Sequence, residues 1–102
     1  MKPLATILLS AWLMWVHVYA PNKNLYEPQG TYSSLDACQA DVVRTAEKHE
    51  TLLRSWQSTT PVTGVRRFSE GGGEGVLADM GRGSGIYQWR WKCFPEQIDP
   101  RR

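Results

Sequence analysis

The chain has 102 residues, twelve Lys and Arg against ten Asp and Glu, and a formal net charge of +2 with no acidic or basic block. That length holds one domain, which buries only roughly 60–65% of its unfolded surface, so the core is marginal and a covalent staple would help it. The near-neutral balance singles out no partner class, and nucleic acid is not expected as one.

Met1-Lys2-Pro3 gives a short positive start, and Leu4 to Val16 is thirteen residues without a charge, within the span of an export-signal core. Val18-Tyr19-Ala20 offers small-enough residues for a cleavage site, but Pro21 would follow the scissile bond and lacks an N–H. Cutting after Leu9-Ser10-Ala11 leaves a leader of only eleven residues, with Trp12 where a lipoprotein needs Cys. An uncleaved membrane helix over Leu4 to Ala20 stands at the lower limit of about 17 residues and contains His17. Membrane contact would therefore run through residues 4–20 only.

As a strand, the same stretch is coherent. Trp12, Met14, Val16 and Val18 form an apolar row for the core, while Leu13, Trp15, His17 and Tyr19 form an opposite row ending in polar tips. The expectation is a short leader or disordered N-terminus over residues 1–11, with Trp12 to Tyr19 inside the fold. Ala20 to Asn24 supplies turn residues. Leu25 to Tyr32 reads as a second strand, broken or placed at an edge by Pro28.

Ser33 or Ser34 caps a helix, with Asp36 favoured in its first turn. Leu35, Cys38, Val42, Ala46, His49, Leu53 and Trp56 then recur at steps of three and four, one apolar stripe. Glu50 and Arg54 make a favourable pair on the wet side, and the helix ends before Thr59-Thr60-Pro61. Val62 to Phe68 reads as a strand, Ser69 to Gly75 as a flexible glycine loop, and Val76 to Met80 as a short strand before Gly81 to Gly85. In the last strand, Ile86 to Phe94, Tyr87, Trp89, Trp91 and Cys93 share one face and Gln88, Arg90 and Lys92 the other.

The fold class is therefore α+β: one amphipathic helix on a small, mostly antiparallel sheet, in order β-β-α-β-β-β, over a single domain 12–94 with a tail at 95–102. Cys38 lies on the helix stripe and Cys93 on the aromatic strand face, so a disulfide would clamp the helix across the sheet. Such a bond implies an oxidising compartment, periplasmic or secreted, whereas in cytoplasm both would be thiols. Five tryptophans suit a small core, with an exposed aromatic surface as the alternative.

Little in the chain carries catalysis. No Gly-Lys-Ser/Thr follows either glycine cluster, Gly73 to Ala78 lacks the setting of a dinucleotide fingerprint, and no serine sits in a Gly-x-Ser-x-Gly elbow. His17 and His49 are the only histidines; either beside a free cysteine could make a nucleophile pair or a metal site, but His49 on the apolar stripe fits a satisfied, partly buried imidazole better. No catalytic, cofactor or metal residue is assigned, and no enzyme is expected. Arg66, Arg67, Arg90 and Lys92, with Arg101-Arg102, are the candidate surface for an acidic partner, although Trp89 and Trp91 face away from Arg90 and Lys92, which favours plain solvated charges.

Three short pieces bear a resemblance: Trp12-x-x-Trp15, Tyr32-Ser33-Ser34-x-x-x-Cys38, and Cys93-Phe94-Pro95-Glu96-x-x-Asp99-Pro100-Arg101. They resemble a group of small uncharacterised bacterial exported proteins, in which the early Trp strand belongs to the mature domain after a longer leader. The resemblance implies export and no activity. The expected function is a non-enzymatic protein-binding or structural module; the alternatives are a basic, aromatic module for membrane surfaces or polyanions, and a minor Cys/His activity.

Overall fold

The computed structural model describes residues 11–57, 62–81 and 85–101. Its elements run in the expected order: β1 (Trp12–Ala20), β2 (Lys23–Tyr32), α1 (Leu35–Ser55), β3 (Gly64–Glu70), β4 (Gly73–Asp79) and β5 (Ile86–Pro95). The five strands make one antiparallel sheet in the order β2-β1-β5-β4-β3, with α1 across one face. Residues 1–10 of the expected leader or disordered N-terminus, and Thr59-Thr60-Pro61, lie outside the described residues. A helix from Leu4 to Ala20 is excluded, because Trp12–Ala20 is an inner strand.

Alternation sorts the side chains as the pattern requires. Met14 and Val16 of β1, Val76 and Ala78 of β4 and Trp91 of β5 point to α1 and meet Cys38, Val42, Ala46 and Leu53 in one buried cluster. The Cys38–Cys93 disulfide joins helix to sheet with Cα atoms 6.2 Å apart, across 55 positions of chain. Trp56 departs from the stripe: it caps the helix and stays exposed.

The ends of α1 follow helix chemistry. The Ser34 hydroxyl accepts from the Ala37 N–H at 3.1 Å, Asp36 lies in the first turn and Arg54 in the last. The Tyr32 hydroxyl donates to Asp41, tying β2 to the helix. Burial and that carboxylate together push the Tyr32 phenol up to about 12.

β2 is an edge strand, as Pro28 demands, and runs unbroken from Lys23 because a bulge at Gln29 absorbs the irregularity: Met14 pairs with Gly30 while Trp15 pairs with Pro28. The turn before it is only Pro21-Asn22.

The glycine run, expected as a flexible loop or a mobile hairpin tip, is a tight hairpin. Gly71 and Gly72, at φ 57° and 83°, form a two-residue turn that closes the Glu70–Gly73 pair, the pattern of a type I′ turn. Gly75 belongs to β4 because the Phe68 ring lies flat over it; a Cβ there would stand 2.1 Å from the ring.

Candidate functional site

The sheet face away from α1 carries the best-formed groove, about 320 Å³, with Trp15, His17, Tyr26, Phe68 and Phe94 among its walls and Glu70, Arg90 and Lys92 on its rim. Strand register assembles it. His17 of β1 pairs with Tyr26 of β2 on one side and Arg90 of β5 on the other, and Trp15 pairs with Lys92. The His17 and Tyr26 rings stack 4.1 Å apart, and the His17 Nε2 is 2.7 Å from the Asn24 Oδ1. The Lys92 ammonium lies over the Phe94 ring, 5.5 Å from its centre. Across the groove Arg90 pairs with Glu70 at 2.8 Å.

The four candidate basic residues do not form one surface. Arg66, Arg90 and Lys92 share the groove face, but Arg67 points to the helix side. There its guanidinium meets Glu74 at 2.7 Å and Glu50 at 3.4 Å. Burial pushes the Glu74 carboxyl up, yet hydrogen bonds from Arg67 and Ser69, with the guanidinium charge, hold it below its ordinary value. Adjacent residues in a strand face opposite ways, so Arg66-Arg67 is never one patch. Aromatics do flank Arg90 and Lys92: Trp15 of β1, Tyr26 of β2, Phe68 of β3 and Phe94 of β5 itself.

Trp15 is a further correction. It stands in the row with polar tips, yet is only 6% exposed. Residues 96–101 fold back: the Glu96 N–H donates to the Ala11 carbonyl, the Ile98 N–H to that of Pro95, and Asp99 holds the Arg101 guanidinium 5.1 Å from the centre of the Trp15 ring. The tail therefore covers one end of the groove face. Only the Trp12-x-x-Trp15 and Asp99-Pro100-Arg101 pieces hinted at it.

Both sulfurs are in the disulfide, so neither cysteine is a nucleophile. Among the described residues no group of three or more His, Cys, Asp or Glu could hold a metal ion, and no helix is long and apolar enough to cross a membrane.

His49 is partly buried between helix and sheet, its ring edge-on to Trp89 at 4.4 Å and Trp91 at 5.2 Å. Its buried Nε2 has no hydrogen-bond partner, so the imidazole is not the satisfied one expected. Burial holds its pKa below the ordinary 6.5. Between the two values the unfolded chain binds the extra proton, so stability falls as pH drops below about 6.5 and levels off below the folded-state value. Urea midpoints across that range are expected to decline toward acid for the wild type, and His49→Phe is expected to remove that part of the slope. An unchanged slope would place the titration elsewhere.

Comparison of the chain with known protein families, with curated proteins and with solved structures finds no match.

Proposed function

We propose that the chain is a non-enzymatic, extracytoplasmic binding module, stapled by its disulfide, that takes a protein partner on the sheet face away from α1. The observation that carries this reading is the groove over β1, β2, β3 and β5, with aromatic walls and a rim of both charges. Concave, mostly apolar surfaces with a few placed polar groups are where small domains take ligands. The mixed rim suits a protein segment better than a polyanion, because Glu70 neutralises Arg90 and Arg67 is turned away. A structural disulfide between helix and sheet suits an oxidising compartment, as the resemblance to exported proteins does.

Site-specific photocrosslinking in the exported protein tests this. A crosslinker at Tyr26 or Lys92 is expected to give one discrete adduct, and one at Lys48 on the wet side of α1 none. Equal labelling from all three positions, or none from the groove, would remove the reading. Salt-sensitive retention on heparin that depends on Arg90 and Lys92 would favour the polyanion alternative instead.

A further inference from the structure

We propose that β3 is a self-pairing edge, through which two copies of the chain join into one continuous ten-stranded sheet. β3 ends the strand order and has no Pro and no bulge, unlike the opposite edge β2. A straight edge of this kind is a template for another strand.

The direction of its peptide groups is fixed. The two-residue turn makes Glu70–Gly73 a hydrogen-bonded pair, and in an antiparallel ladder such pairs alternate. Gly64, Arg66, Phe68 and Glu70 therefore turn their peptide groups toward β4, and Val65, Arg67 and Ser69 turn theirs outward. The Val65 carbonyl fits this phase, since Arg54 reaches it from the helix at 3.0 Å.

One antiparallel register pairs the outward groups of Arg67 and Ser69 in both copies. Centred on Phe68, it pairs Arg67 with Ser69 of the second copy, and the two-fold repeats those hydrogen bonds. On the groove face it sets Phe68 opposite Phe68, each ring seated over its own Gly75, and each Arg66 opposite the other copy's Glu70, a carboxylate that would then bridge Arg66 and the Arg90 of its own chain. Opposite charges and apolar rings face to face are the stabilising cross-strand pairs. Val65 is not required, so Arg54 keeps its hydrogen bond. A register centred on Arg67 would displace Arg54 and lose the Arg66–Glu70 match. One centred on Arg66 would oppose two arginines. Charge complementarity and edge phase thus select a second copy as the occupant, and the two grooves would lie on one continuous face.

So short a seam belongs to the small interface class, which makes the dimer weak. Sedimentation velocity from about 10 μM to about 1 mM is expected to show a monomer–dimer equilibrium. Over the same range, amide exchange at Arg67 and Ser69 is expected to slow. R66E and E70R should each weaken association about ten-fold, and the double swap R66E/E70R should restore it. Circular dichroism and the intact disulfide report the fold of each variant. A wild type monomeric throughout, a dimer indifferent to R66E, or one lost on Tyr26→Ala with no change in Arg67 and Ser69 exchange would overturn the proposal. R66Q, which removes the charge and keeps an unbranched polar side chain, gives the same reading if a charge-reversed variant fails to fold. The crosslinking at Tyr26 and Lys92 is judged separately, because neither residue lies on the β3 edge.

Discussion

Trp91→Ala is expected to lower stability by about 3–5 kcal/mol, measured as the shift in free energy of urea unfolding. The indole is 3% exposed and lies at the centre of the sheet, paired with Val16 on one side and Glu74 on the other. It packs under α1, with the His49 ring edge-on above it. Transfer and cavity terms both count at a buried site of this kind. A domain of this size has roughly 5–15 kcal/mol in all, so the variant would sit close to its unfolding threshold. Trp91→Phe keeps most of the apolar area and is expected to lose markedly less. A second signature follows from His49. Once water reaches its Nε2 the burial that depresses its pKa is relieved, so in Trp91→Ala the acid-side decline of stability should flatten. A loss under 1 kcal/mol, or an unaltered acid slope, would show that the indole is not the keystone of this core.

Removing the disulfide is expected to cost about 4 kcal/mol, since it closes a loop of 55 positions and the chain-entropy term grows with the logarithm of that number. The double variant Cys38→Ala/Cys93→Ala measures this without leaving a buried thiol pair. For a domain of 60–100 residues each kcal/mol moves the melting midpoint by about 4–8 °C, which gives a drop of roughly 15–30 °C. Reductant should produce the same drop in the wild type and none in the variant. Cys38 is completely buried, so reduction should be slow until the helix lifts from the sheet. A change of only a few degrees would mean that α1 is held by Leu53, Val42 and Ala46 alone. The two losses are not expected to add fully, because Trp91 and Cys93 lie on the same face of β5, two positions apart.

Much of this arrangement was legible in the residues. Leu35 to Leu53 recur at helical spacing, and that stripe does face the sheet, with Cys38, Val42, Ala46 and Leu53 buried. Period-two alternation placed Met14 and Val16 on one side of β1 and Cys93 with Trp91 on one side of β5. Put together, the two patterns brought Cys38 to Cys93 before any coordinates. Local rules also narrowed the cap to Ser33 or Ser34, and offered an edge position as one of two readings of Pro28.

The glycine run misled for a physical reason. Permissive backbone reads as looseness, but Gly71 and Gly72 are there to supply two positive φ angles, and Gly75 to seat Phe68. The polar tips of the Trp15 row misled likewise, because burial there comes from residues 96–101, eighty positions away in the chain.

By itself, then, the sequence determined the order of helix and strands, the apolar side of the helix and of β5, and that one disulfide would bind helix to sheet. These are properties of single elements, governed by periods of 3.6 and 2 that are written along the chain. The tertiary structure alone decided lateral order and register. It set His17 and Tyr26 beside Arg90 and Lys92, turned Arg67 toward Glu50 and Glu74, and left β3 with a free edge. Register is a long-range property: a slip of one residue moves every side chain to the other face, and only packing against the whole sheet selects among the slips.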